Sequence, residues 1–202
     1  AGAQKVIDAL EAERPEIVLC VGQAGGRSKI TPEFVGINWA HARIPDNADK
    51  QPLSQRIIDG APDAYFASLP VNAMVAAMNQ EEIPAAVSYT AGTYVCNDVM
   101  YQVLHALATR FPETRGTFLH VPFATEQVVE KNVAAAEKNA VAAEKGAAGE
   151  KGAAGEKDTA GEKTRQVPSM SLEMMTRGLR VALEAALVND VDFTDSESGT
   201  TC

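Results

Sequence analysis

The sequence predicts an α/β domain, a three-layer sandwich whose mostly parallel, twisted sheet is covered by helices on both faces. Three observations predict it. Short apolar runs, EIVLCVG (16–22), AAVS (85–88) and GTFLHVPF (116–123), read as buried strands. Stretches of helical periodicity lie between and around them, and such alternation favours parallel pairing. With 202 residues, 46% of them hydrophobic, the chain is large enough to bury one sizeable core.

The elements follow in order. AQKVIDALEAERP opens as a helix with Val6, Ile7 and Leu10 on one face, and Pro15 ends it. The strand 16–22 runs into a glycine-rich turn, GQAGGRS. EFVGINWAHARIPDN (33–47) reads as a strand and then a loop. Residues 48–63 carry Pro52, Gly60 and Pro62 and read as an excursion without regular structure. A helix is expected from about 70 to 79, the strand 85–88 next, then a helix over 97–110 with Val99, Val103, Leu104 and Leu107 inward. The strand 116–123 follows. A last helix spans 169–188, with Leu172, Met175, Leu179, Leu183 and Leu187 as its apolar stripe.

Residues 132–163 depart from this pattern. They read NVAAAEK, NAVAAEK, GAAGEK, GAAGEK, DTAGEK. Ala, Glu and Lys favour helix in the first two units, whereas each later glycine costs roughly 1 kcal/mol there. The segment is expected to be a solvated low-complexity insertion. The organisation predicted is therefore one domain over 1–189, incomplete at its N-terminal side and interrupted by 132–163, with an acidic disordered tail over 190–202.

Charge and composition exclude several classes. The net charge is −9 and the sequence pI about 4.9, so a basic nucleic-acid footprint is not expected. The apolar runs are too short for a membrane span, and the first residues lack a secretory pattern. Three widely spaced cysteines do not form a disulfide framework, which points to a reducing, cytoplasmic setting.

The chemistry centres on Cys96. It follows the strand 85–88 and the turn TAGT, at the start of a helix. A strand–turn–helix elbow presents a nucleophile at the carboxyl edge of a sheet, and a helix N-terminus favours a thiolate. The competing reading is a buried small hydrophobe. His120 ends the next strand, where it can reach such an elbow, or it is a hydrogen-bonded core histidine. Glu33 follows the glycine-rich turn, where a carboxylate can orient an imidazole, or it is a solvated surface acid. GQAGGRS matches neither the dinucleotide fingerprint nor the P-loop, and the His and Cys spacings do not suggest zinc. From spacing, a Cys-His-Glu hydrolase and an inert packing arrangement both remain open.

Longer motifs add to this reading. AGGRSKITPE, ARIPDN, GAPDAYFASLP, GTYVCNDVMY, FLHVPF and VPSMSLEMM together resemble the pyroglutamyl peptidase I family, also called pyrrolidone-carboxylate peptidases. The resemblance runs over about residues 4–129 and 166–187. The order Glu33, Cys96, His120 and its spacings of 63 and 24 residues agree with it. The resemblance implies a cytoplasmic cysteine exopeptidase that removes N-terminal pyroglutamyl residues from peptides through a thioester, with no cofactor or metal. It also implies a homo-oligomer, dimeric or tetrameric. Carried over by position, Cys96 resembles the nucleophile, His120 the general base and acid, and Glu33 the residue orienting His120. Arg43 resembles the arginine near the oxyanion. Gln23, Ile44, Tyr94 and Val95 resemble residues lining the lactam pocket.

The sequence departs from the family pattern in places. The family's N-terminal strands have no counterpart before Ala1, so this chain alone is expected to be unstable or inactive, as a fragment or a degenerate paralogue. Phe34 stands where the family has a basic residue, Gly36 where it has alanine, and Tyr89 where a polar amide is common. The insertion at 132–163 fills a much shorter family loop. Two alternatives stand beside the peptidase: a non-enzymatic remnant that serves as a binding module, and a cysteine hydrolase of the same fold with another acyl substrate.

Overall fold

The structure, a computed structural model, describes residues 2–46, 49–130 and 167–192. The expected insertion at 132–163 and the tail beyond 192 lie outside the described residues. The elements are α1 (Gly2–Glu13), β1 (Ile17–Gln23), β2 (Thr31–Pro32), β3 (Val35–Ile37), β4 (Ala64–Phe66), α2 (Val71–Gln80), α3 (Val95–Arg110), β5 (Arg115–Val121), β6 (Phe123–Ala124), α4 (helical over 125–130), β7 (Ser169–Met170) and α5 (Leu172–Val188).

The main sheet has the order β1-β5-β2. β1 and β5 run parallel from Ile17↔Arg115 to Gln23↔Val121, and Thr31 and Pro32 of β2 pair antiparallel with His120 and Leu119. The segment 85–88 joins the far side of β2 through parallel bridges at Ile30↔Ala85 and Glu33↔Ser88. The bonds Ala86 N–H to Ile30 O (3.1 Å) and Phe34 N–H to Ser88 O (2.7 Å) carry this pairing. β5 is therefore interior, and its middle residues 116–120 are all buried. A strand covered on both faces reads as a near-continuous apolar run, as FLHV does.

Alternate residues of β5 serve the two faces. Phe118 packs with Ile7 and Leu10 of α1 and Val103, Leu104 and Leu107 of α3. Leu119 packs on the other side with Met74 and Met78 of α2 and Met175, Ala182 and Ala186 of α5. The three-layer α/β reading is thus borne out. Among the described residues, no helix is long and apolar enough to cross a membrane.

Three expectations are corrected. The excursion 48–63 is followed by an unpredicted strand, β4, which pairs antiparallel with β3. α5 begins at Leu172, because Ser171 caps it by accepting the Met174 N–H (3.2 Å) and residues 169–170 form β7. Its buried face is Met175, Gly178, Ala182, Ala185 and Ala186, while Leu172 and Leu187 are exposed. Small residues win that face because α5 lies close over the sheet: a Cβ on Gly178 would sit 2.4 Å from Ile30 Cδ1.

Ordered contacts also continue past residue 189, into the stretch assigned to the tail. Asp192 accepts from the Asn72 (3.0 Å) and Ala73 (3.2 Å) backbone N–H groups and from Asn72 Nδ2 (2.8 Å). Pro70, at the N-cap of α2, offers no side-chain cap. A carboxylate there satisfies orphan donors and matches the helix dipole.

The packing under α5 yields one expectation. Gly178→Val should lower stability by roughly 1–3 kcal/mol through overpacking against Ile30 and Ile83. Urea unfolding checks it, and an unchanged midpoint would contradict the close approach of α5 to the sheet.

Candidate active site

The carboxyl ends of β1 and β5 bring the site together. His120 is the penultimate residue of β5, 4% exposed, and opposes Gly22 on one side and Thr31 on the other. Its side chain shares the face of Phe118, the face covered by α3. Its ring stands 4.9 Å from that of Phe118. Glu33 has no solvent exposure and lies just beyond β2. His120 Nδ1 is 2.6 Å from Glu33 Oε1.

Sequence reasoning placed the nucleophile's strand beside that of His120. The structure inserts β2 between them, and this insertion seats Glu33 next to the imidazole. The turn before Cys96 is also longer than TAGT alone, running from the end of the 85–88 segment to Tyr94. Gly92 turns it with φ +79°, a value that L side chains rarely adopt. Helix α3 starts at Val95, so Cys96 lies in its first turn rather than before it. Its thiol lies beside His120 and acts on the charge of the ring. On the other side, a Cβ on Gly22 would approach within 2.7 Å of the Phe118 ring and 3.4 Å of Cys96 Sγ. The glycine thus leaves room for the thiol above the sheet.

His120 is held as a cation. Burial alone would lower its pKa, but hydrogen bonds with Cys96 and Glu33, and their negative charge, outweigh burial and push it up to about 9. With Nδ1 engaged by Glu33, Nε2 is the nitrogen left to serve Cys96 and a substrate. The first hydrogen bond of α3 is Asp98 N–H to Tyr94 O (3.0 Å). The N–H groups ahead of it have no acceptor within the helix and offer donors beside the sulfur.

Several supporting residues escaped the sequence reading. Asn97 is buried, and its side chain accepts from Ile37 N–H (2.9 Å) and donates to Ile37 O (2.9 Å) and Trp39 O (3.0 Å). It bolts the first turn of α3 to β3. Its only signal was a polar pair, Asn97–Asp98, opening an otherwise apolar helix. Arg27, in the glycine-rich turn, donates through Nη1 to Glu33 Oε1 (2.7 Å). That turn reads as an unmatched phosphate loop, which hid the arginine.

The residues carried over as pocket and oxyanion groups lie around this centre. Gln23 ends β1, and its amide donates to Gln127 Oε1 (2.6 Å), which also accepts from Ala124 N–H (2.8 Å). The loop bearing Arg43 and Ile44 is stitched to the entrance of α3. His41 N–H donates to Thr93 O (2.8 Å), Thr93 Oγ1 to His41 O (3.0 Å) and Tyr94 OH to Pro45 O (2.9 Å). Arg43 is exposed, Ile44 is 64% exposed and Val95 40%. Tyr94 and Val95 also line a cleft of about 980 Å³ with Pro52, Gln55 and Asp98, and the Cys96, His120 and Glu33 side chains are not part of that lining.

The departures noted in the sequence find physical partners. Phe34 and Tyr89 meet each other, ring centroids 5.6 Å apart, and Phe34 meets Phe66 at 5.3 Å. The two unusual residues thus belong to one aromatic cluster. Gly36 faces α3, where a Cβ would come within 3.2 Å of Tyr101 N.

Comparison with known proteins agrees with this geometry. The family model described as pyroglutamyl peptidase matches residues 2–153. A pyrrolidone-carboxylate peptidase of Enterococcus faecalis is 50% identical over 133 residues, 66% of this chain and 62% of that protein. One from Levilactobacillus brevis is 43% identical over 190 residues, 94% of this chain and 77% of that protein. The crystal structure of pyroglutamyl peptidase I from Bacillus amyloliquefaciens superposes with a TM-score of 0.77 at 35% identity, covering 96% of this chain and 76% of the other. The chain thus spans from less than two thirds to about three quarters of the length of these relatives. With Cys96, His120 and Glu33 brought together over one sheet, this chain belongs to the pyroglutamyl peptidase family of cysteine peptidases.

Proposed function

We propose that this chain hydrolyses the amide bond that follows an N-terminal pyroglutamyl residue, with Cys96 as nucleophile, His120 as acid and base, and Glu33 as the residue that orients His120. The observation that carries the reading is buried Glu33 held 2.6 Å from His120 Nδ1, with Cys96 beside the same imidazole in the first turn of α3.

The steps follow from the geometry. Cys96 Sγ attacks the pyroglutamyl carbonyl carbon, and the carbonyl oxygen takes the developing negative charge. Backbone N–H groups of the first turn of α3 and the Arg43 guanidinium stabilise that oxygen. His120 gives its proton to the leaving amine, the C–N bond breaks, and a thioester remains on Cys96. A water then attacks the thioester while His120 takes its proton, the C–S bond breaks, pyroglutamate leaves, and the thiolate is restored beside the protonated imidazole. Gln23, Ile44, Tyr94 and Val95 enclose the lactam, which is small and uncharged and needs an apolar slot with a few hydrogen bonds. The same reading makes the chain a cytoplasmic homo-oligomer, dimeric or tetrameric.

A pyroglutamyl-coumarin amide tests this directly. Cys96→Ala should abolish cleavage, and Glu33→Gln should lower kcat roughly 1,000- to 10,000-fold by releasing the imidazole from its orientation. Cleavage that survives Cys96→Ala would sink the proposal. Cleavage of acyl-blocked peptides lacking the lactam would move the specificity to another acyl group.

A pH dependence follows from His120. Its proton is held below about 9 and lost above, so kcat/KM should fall as pH rises through that value. The pair's contribution to stability has the same sign. It is full below the ordinary histidine value of 6.5 and fades as pH rises towards about 9. Thermal melts from pH 6 to 10 of the chain and of Glu33→Gln check it, and melts that stay parallel throughout would contradict it. Light scattering should give a multiple of the 21.4 kDa chain mass.

A further inference from the structure

We infer that Arg27 is a positioning residue of this site, a clamp that holds Glu33 and the loop leading into the Cys96 helix in one arrangement. The inference deepens the peptidase reading and concerns the same site. The Arg27 guanidinium makes contacts in three directions. Nη1 donates to Glu33 Oε1 at 2.7 Å and also to the Thr31 hydroxyl. Nη2 donates to the Thr90 carbonyl at 3.3 Å. Thr31 lies on β2, Glu33 just beyond it, and Thr90 in the loop between the 85–88 segment and Cys96.

Only an arginine can do this from one side chain, because its planar fork offers several donors at fixed angles. The Arg27 side chain is 30% exposed whereas Glu33 is sealed. The cation therefore keeps part of its hydration while it compensates a carboxylate that has none. Both cations of the site converge on the same oxygen: Oε1 takes Arg27 and His120, and Oε2 is buried without a hydrogen-bond partner among the described residues. The carboxylate plane is thus set by Arg27 and His120 together. Without Arg27 the Glu33 side chain keeps one anchor, the imidazole it has to orient.

The clamp has an electrostatic side as well. Arg27 draws on the Glu33 charge that also holds the His120 proton. Without the guanidinium, Glu33 should hold that proton more tightly, making His120 a poorer acid towards the leaving amine.

Arg27→Met and Arg27→Lys in the 202-residue chain test the inference, with urea unfolding to report stability. Arg27→Met should lower kcat roughly 10- to 100-fold, the cost of a slightly misplaced catalytic group, with KM within about threefold of the unaltered chain. Arg27→Lys, with the charge but not the fork, should recover part of that loss. A second reading needs no substrate. NMR titration of the His120 ring, assigned against His120→Asn among only three histidines, should show its inflection displaced upward by about half a pH unit in Arg27→Met and returned in Arg27→Lys. An unmoved inflection with unchanged kcat would overturn the clamp. If Arg27→Met does not fold, Arg27→Lys decides: full activity at an unchanged stability overturns the inference, and reduced kcat at unchanged stability supports it. A chain that cleaves no pyroglutamyl substrate while its His120 titration shifts as stated would count against the substrate and not against the clamp.

Discussion

A carboxylate sealed from water is unfavourable unless cations hold it, and the buried charge of Glu33 is the constraint on which this site depends. His120 and Arg27 meet that requirement through one oxygen. The same contacts favour the protonated imidazole, engage its Nδ1 and fix the loop ahead of α3. Breaking a buried pair by deleting one partner leaves the other charge uncompensated, which makes the arrangement all-or-none. The surrounding fold is arranged to seal this group: β2 lies between β5 and the 85–88 segment, so Glu33, whose N–H bonds Phe118 O and which bridges Ser88, is buried within the sheet and not at its edge.

The second requirement is space. A helix whose first turn carries Cys96 has to come close over the sheet beside Phe118. Gly22 opens that point beneath Cys96, and Gly36 allows β3 to lie against α3. Asn97 then bonds the first turn to β3 through backbone groups. These three positions carry no chemistry, yet each limits how far Cys96 can drift from His120. Displacements of about an ångström are costly in such sites.

Much of the architecture was legible in local patterns. The run FLHV is apolar enough to require burial on both faces and forms the interior strand β5, whereas VLCVG, expected to be buried too, forms its parallel partner β1 at the end of the strand order, where it is only partly buried and Val21 is exposed. The helix over α3 was legible from Val103, Leu104 and Leu107, all buried. The α5 stripe was misread because a count of leucines favours large residues, whereas the closeness of α5 to Ile30 selects glycine and alanine. β4 escaped because three residues without a clear alternation carry no periodic signal, and its pairing with β3 supplies the reason for it.

The sequence by itself determined the chemistry available: one thiol ahead of an amphipathic helix, one histidine at the end of an apolar strand, one acid after a glycine-rich turn. Those are local facts, set by side-chain type and spacing. Only the tertiary structure decided which groups meet. The insertion of β2 beside β5 brings Glu33 to His120 across 87 positions of chain, and Arg27 reaches Thr90 across 63. No local pattern encodes such pairings, because they arise from the order in which strands lie side by side.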